Sequence, residues 1–229
     1  MNLPPYHSPI RAILPFCLAL LLMATVAPAS SPTLRYREQT GEDSFLFSWQ
    51  ADAAQDGATV TVTQRQGEEV FQSVNTLEGT TTSWHYTKIP DTDVRVERVG
   101  NHLRFRGRVA GEPIDKQDTI DGRPWFQPLS YSLRCMVARQ EEQASFWTIR
   151  PDTLETLTLK AQREGSAQLT QDNGTELSAS KMVIRLDGLM SALWSAEYWF
   201  RQGDNLFVQY RGTHGPPGTA ETVISLVQP

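Results

Sequence analysis

The sequence predicts a mostly β domain, an antiparallel sheet with one or two short helices packed on or in it. Three observations lead there. Short runs alternate apolar and polar residues with period two. Turn residues punctuate those runs at close intervals. Helical spacing recurs in only two segments, so the strand–helix alternation of a parallel sheet is absent.

The chain opens with a segment unlike the rest. Arg11 supplies a short positive region, Ala12 to Thr25 form an apolar run, and Ala27-Pro28-Ala29 place small residues at −3 and −1. Met1 to Ala29 therefore read as a secretory signal peptide cleaved before Ser30. The run is shorter than the roughly 20 residues a bilayer span needs. Cys17 follows Leu14-Pro15-Phe16, and a bulky Phe before the cysteine argues against lipidation. Residues 30–229 are expected to form a single β-rich domain, with no transmembrane segment, low-complexity linker or internal repeat.

The strand candidates begin with Leu34 to Gln39, inside an entry segment of residues 30–42. Phe45 to Trp49, Thr59 to Thr63, Val70 to Val74, Thr80 to Thr87, Val94 to Val99 and His102 to Val109 follow. Then come Ser145 to Ile149, Leu154 to Gln162, Ala167 to Thr170, Met182 to Leu186, Glu197 to Arg201, Asn205 to Arg211 and Thr222 to Val227. Gly100-Asn101 makes a two-residue hairpin loop. It pairs Val99 with His102 and Val96 with Phe105, and sets Glu97 opposite Arg104. Val94, Val96, Leu103 and Phe105 then share one apolar face, and Arg95, Glu97, Arg104 and Arg106 share a charged one. Arg163-Glu164-Gly165 suits a three-residue loop that sets Leu159 opposite Leu169 and Ala161 opposite Ala167. Gly203-Asp204 pairs Phe200 with Phe207 and Trp199 with Val208. Both faces of that hairpin are apolar, so both need covering.

Two segments carry helical spacing. Leu129, Leu133, Met136 and Val137 predict an amphipathic helix within Leu129 to Ala144, after Pro128. Leu186, Leu189, Met190, Leu193 and Trp194 repeat the pattern, with Asp187 as a cap. Gly188 costs about 1 kcal/mol inside a helix. The expectation there is a helical turn or loop packed on the sheet.

The formal net charge is −5. Loss of Arg11 with the leader makes the mature chain one unit more negative, which gives no broad electrostatic reason to bind nucleic acid or anionic lipid. Cys135 remains as one cysteine without a partner, so burial and sheet hydrogen bonds must hold the fold. It reads as a small buried residue in Leu133-Arg134-Cys135-Met136-Val137, since no nucleophile signature surrounds it. Asn173-Gly174-Thr175 is a formal glycosylation acceptor, but Gln171 to Thr175 reads as a turn.

No catalytic or metal motif emerges. His85, His102 and His214 sit in unrelated contexts, without the spacing of metal ligands. HExxH, paired cysteines, a glycine-rich phosphate loop and a Gly-x-Ser-x-Gly elbow are all missing. Asp115, Asp118 and Asp121 lack the alternate spacing of a calcium loop and read as a solvated loop. Arg104, Arg106 and Arg108 form a basic stripe that an anion would fit. The simpler reading is a solvent face with cross-strand ion pairs, each worth under about 1 kcal/mol.

The aromatic residues give the better lead. Trp125, Phe126, Phe146, Trp147, Trp194, Tyr198, Trp199, Phe200, Phe207 and Tyr210 crowd the second half. They form either a packed interior or a concave apolar pocket, since large antiparallel sheets curl into partial barrels. Met190, Trp194, Trp199, Phe200 and Phe207 are the candidate ligand-binding residues.

Gly188 to Trp199 (GLMSALWSAEYW), Tyr210 to Thr219 (YRGTHGPPGT) and Ile120 to Gln127 (IDGRPWFQ) resemble bacterial periplasmic proteins of the domain-of-unknown-function class numbered 3108. The resemblance implies a strongly curved sheet, a half-barrel or open barrel like those of periplasmic lipoprotein carriers. It implies a periplasmic location and no reaction.

The functional expectation is an exported binding or carrier protein of the cell envelope, with an apolar groove for a lipid-like or hydrophobic ligand. Burial of apolar surface at about 25 cal/mol per Å² would drive binding. The alternative is a structural protein that docks an envelope partner through a strand edge or the Trp199 surface. An enzyme ranks third, with Asp187 and Glu197 as its acid/base candidates. No cofactor, metal or nucleic acid is expected.

Overall fold

The computed structural model describes residues 31–171, 174–188, 194–213 and 219–227. The strands in the first half are β1 (Leu34–Thr40), β2 (Asp43–Ala53), β3 (Thr59–Gln66), β4 (Glu69–Thr76), β5 (Thr81–Lys88), β6 (Thr92–Val99), β7 (His102–Val109) and β8 (Glu112–Thr119). Helix α1 (Leu129–Ala138) follows, then β9 (Gln143–Ile149), β10 (Thr156–Thr170), β11 (Glu176–Leu186), β12 (Ser195–Arg201), β13 (Phe207–Thr213) and β14 (Glu221–Val227).

All fourteen strands join one antiparallel sheet in the order β8-β7-β6-β5-β4-β3-β2-β1-β14-β13-β12-β11-β10-β9. The chain thus builds two meanders and joins them where β1 pairs with β14. The expected architecture, a mostly β open barrel with a short helix, is what forms. The sheet does not close, because its edges β8 and β9 do not pair with each other.

The segment that follows β8 lies along the other edge, β9. Trp147 N–H donates to the Pro124 carbonyl at 2.8 Å, and Phe126 N–H donates to the Trp147 carbonyl at 2.8 Å. Thr81 N–H donates to the Trp125 carbonyl at 2.7 Å, which ties the same segment to β5. Gln127 adds a side-chain rung. Its Nε2 donates to the Ile149 carbonyl at 3.0 Å, and its Oε1 accepts from Ile149 N–H at 3.1 Å. Buried backbone groups at this rim are satisfied in this way.

Helix α1 then enters the hollow. Tyr131, Ser132, Leu133, Cys135, Met136 and Val137 are buried, and Leu133 and Met136 have no exposed surface. They share one core with Tyr36, Phe47, Trp49, Phe146, Phe200 and Phe207 from the sheet. A second core gathers Trp84, Val94, Val96, Leu103, Phe105 and Trp125. Ser132 Oγ donates to the Gly79 carbonyl at 2.6 Å and anchors α1 on the β4–β5 turn. Gly79 has φ +90°, and a Cβ there would lie 3.0 Å from Ser132 Cα. Glycine therefore both makes this turn and admits the helix.

Several expectations held in detail. Gly100-Asn101 pairs Val99 with His102, Val96 with Phe105 and Glu97 with Arg104. Val94, Val96, Leu103 and Phe105 are fully buried. Phe200 pairs with Phe207.

Others need correction. β8 was not expected, and Asp115 and Asp118 lie in that strand rather than in a loop. The Arg163-Glu164-Gly165 hairpin does not form. β10 runs straight through, and this stretch is a bulge between Arg163 and Ser166. Leu159 accordingly faces Leu186, Ala161 faces Ile184, Ala167 faces Ala179 and Leu169 faces Leu177. The positive φ of Gly165 serves the bulge. The hairpin turn comes later, where Gln171 N–H donates to the Thr175 carbonyl at 2.9 Å. Trp199 pairs with Gln209, not Val208, because a bulge shifts the register beside Phe200. Helix α1 stops at Ala138, where Arg139 caps it, and not at Ala144. The expected turn through Leu189, Met190 and Leu193 lies outside the described residues, as do Asn173 and His214.

Candidate functional site

Strand register decides what faces the hollow. Trp49 (β2), Gln64 (β3), Phe71 (β4), Tyr86 (β5) and Val94 (β6) form one row straight across the sheet. Val62, Ser73, Trp84, Val96 and Phe105 form the row beside it. Phe71 and Tyr86 stack with centroids 4.7 Å apart, 4° from parallel. Trp84 stacks on Tyr86 at 5.8 Å and 13°. These near-parallel rings make one stiff wall.

The row is interrupted at β3. Gln64 is thinner than its ring neighbours, and Val62 and Ser73 are small. A cleft of about 160 Å³ opens there between Trp49 on one side and Phe71 and Trp84 on the other. Gln72, Gln127, Pro128 at the start of α1 and Pro151 between β9 and β10 also line it. Residues lining the cleft carry no charge. The Gln64 amide has no protein partner among the described residues, whereas Gln127 Oε1 also accepts from Trp125 Nε1 at 3.1 Å.

The second-half aromatics are distributed differently. Phe200 and Phe207 do face the hollow, as expected, but α1 lies against their strands. Phe200 has no exposed surface and Phe207 has 6 %. Their rings meet at 5.9 Å, and Tyr36 packs tilted against Phe207 at 5.3 Å while its hydroxyl donates to the Phe207 carbonyl at 2.8 Å. Burial pushes the Tyr36 hydroxyl pKa well up. Trp199 points to the opposite, convex face, where Lys181 Nζ lies 5.2 Å from its ring. Trp194 is half-buried, and its indole N–H donates to the Thr213 carbonyl at 2.7 Å. Met190 lies outside the described residues.

The acid candidates are each held by a cation. Asp187 accepts from Arg123 at 3.0 Å, and Glu197 pairs with Lys181 at 2.5 Å on the convex face. Asp121 accepts from Arg123 and from Trp147 Nε1 at 2.9 Å, and these donors hold its carboxyl well below the usual range. The basic stripe Arg104, Arg106 and Arg108 is exposed. The cross-strand ion pairs expected there are not formed among the described residues; on that face Asp93 pairs instead with His85 at 2.7 Å. The described residues contain no cluster suited to a metal ion. No helix among them is long and apolar enough to cross a membrane.

The sequence missed Trp49, Gln64, Phe71 and Trp84 as a site. The available signal was Gln64 itself, a polar residue in the inward register after Val60 and Val62.

Comparison with known proteins gives the same architecture. No protein-family model matches the sequence, and no curated protein does. Among solved structures, the chain is similar to a beta-barrel-like protein of domain of unknown function DUF1849 from Brucella abortus. The TM-score is 0.60 at 5 % sequence identity, over 87 % of this chain and 96 % of that one. At that identity the likeness shows the fold alone: this chain has a β-barrel-like fold.

Proposed function

We propose that this is an exported, periplasmic binding protein of the cell envelope, and that its ligand enters the concave cleft between Trp49 and Phe71. The observation that carries the reading is the gap at Gln64 between the inward rings of Trp49 and Phe71. A cavity of about 150 Å³ is enough to hold benzene. The cleft therefore receives one ring or a short apolar segment, such as the end of a lipid-like ligand. The rest of such a ligand extends out of the cleft, since α1 occupies the hollow. Export rests on the leader-like Met1 to Ala29, and the periplasm on the resemblance to class 3108.

Native mass spectrometry of protein purified from its own envelope tests this. The expected result is a small-molecule adduct that Phe71→Ala loses. An adduct-free protein whose tryptophan fluorescence ignores added benzene contradicts it.

A second reading, an envelope partner docked on the convex face, draws support from the outward Trp199. Pull-down with Trp199→Ser separates the two readings, because that change leaves the cleft intact.

A further inference from the structure

We infer that the part of the ligand held in this cleft is an uncharged, hydroxyl-bearing ring, a hexopyranosyl unit, rather than a hydrocarbon. The inference rests on the cleft being the binding site and names what it takes.

Three features point there together. The first is spacing. Trp49 and Phe71 stand on strands two apart in the same row, so their backbones are about 9.6 Å apart. A ring sandwiched between two others at van der Waals distance needs about 7–8 Å. Two strand spacings therefore admit one intervening ring and not two. The volume of about 160 Å³ agrees.

The second is the polar inventory. The Gln64 side chain lies between the two rings, half-buried, with both its donor and its acceptor unpaired among the described residues. Gln127 uses its oxygen twice and one of its amide hydrogens once, which leaves one hydrogen for a ligand. A hydrocarbon offers the Gln64 amide no partner. Ring hydroxyls both donate and accept, and they satisfy it.

The third is charge. No lining residue is ionised. A carboxylate or phosphate entering this cleft would lose hydration without a counter-charge. Apolar faces above and below with amides at the edge suit a pyranose, whose C–H faces are apolar and whose rim is polar.

The test uses the purified full chain with methyl glucoside, methyl galactoside, methyl mannoside and methyl N-acetylglucosaminide as probes, and benzene as the apolar comparison. Binding is read by saturation-transfer NMR and tryptophan fluorescence. At least one glycoside is expected to bind saturably, and Gln64→Leu should weaken it about tenfold, the effect of one lost hydrogen bond of about 1.4 kcal/mol. The same variant should bind benzene as well as or better than wild type. Phe71→Leu, at a half-buried position, should weaken both probes, and cooperative melting of both variants shows that they remain folded. Benzene binding without any glycoside binding overturns the sugar assignment and leaves the cleft as the site. Binding of neither overturns both.

Discussion

Leu133→Ala asks whether α1 is an integral part of the core or a surface helix. Leu133 has no exposed surface and packs in the cluster that holds Met136, Phe200 and Phe207. Truncating a fully buried leucine costs about 2–5 kcal/mol, the lost transfer energy plus the cavity left behind. Taking about 3 kcal/mol and about 2–4 °C per kcal/mol for a chain of this size, Tm should fall by about 6–12 °C. Urea unfolding followed by tryptophan fluorescence and far-UV circular dichroism measures the same loss. The midpoint should drop by about 1–2 M with an unchanged m-value. Leu129→Ala, at a half-buried position on the same helix, should cost clearly less. A loss below about 1 kcal/mol for Leu133→Ala would refute the filled hollow. It would also reopen the space beside Phe200 and Phe207 as a pocket.

Three further outcomes follow from the same structure. Burial pushes the Cys135 thiol pKa up, so thiol reagents at pH 8 should label the folded protein far more slowly than the urea-unfolded chain; equal rates would place Cys135 on the surface. Asp121 has a depressed pKa in the folded protein, chiefly through Arg123. Its stabilisation is therefore complete above the ordinary aspartate value near 4 and is lost only as pH falls through the lower folded value. The stability gap between wild type and Asp121→Asn should thus stay constant from pH 7 to about 4.5, and a gap closing between pH 7 and 5 would contradict the Arg123 and Trp147 contacts. Lys116 Nζ points inward from the edge strand β8 to the Leu154 carbonyl at 2.8 Å and to Asp118 at 3.1 Å. An inward charge guards an open edge, so Lys116→Met should increase concentration-dependent self-association by light scattering; unchanged scattering would assign that protection elsewhere.

Most of the sheet was legible because its strands are buried on one face, so alternation reports directly on register. Val94, Val96, Leu103 and Phe105 show this best, since one hairpin loop determined all four. β8 was illegible for a physical reason. Its inward positions include Lys116 and Asp118, whose polar groups are satisfied by the Leu154 carbonyl and by the Thr156 hydroxyl at 2.6 Å. No local pattern announces partners so distant in sequence. The Arg163-Glu164-Gly165 bulge was misread because a glycine at positive φ serves a turn and a bulge equally well.

The site was harder to see. Aromatic density pointed to the second half, and Phe200 and Phe207 do face inward, but neighbours unknown to a linear reading cover them. Trp49, Gln64 and Phe71 stand well apart along the chain, and only the β2–β3–β4 register brings them into one row. A cleft made by a thin residue between two large ones belongs to the sheet, not to any segment of it.

Residue-assigned NMR of the six tryptophan indole N–H groups during benzene addition tests the location of the binding cleft most directly. Entry of the probe between β2 and β4 should move the signals of Trp49 and Trp84 and leave those of Trp194 and Trp199 in place. Shifts confined to Trp194 and Trp199, with Trp49 and Trp84 silent, would contradict it.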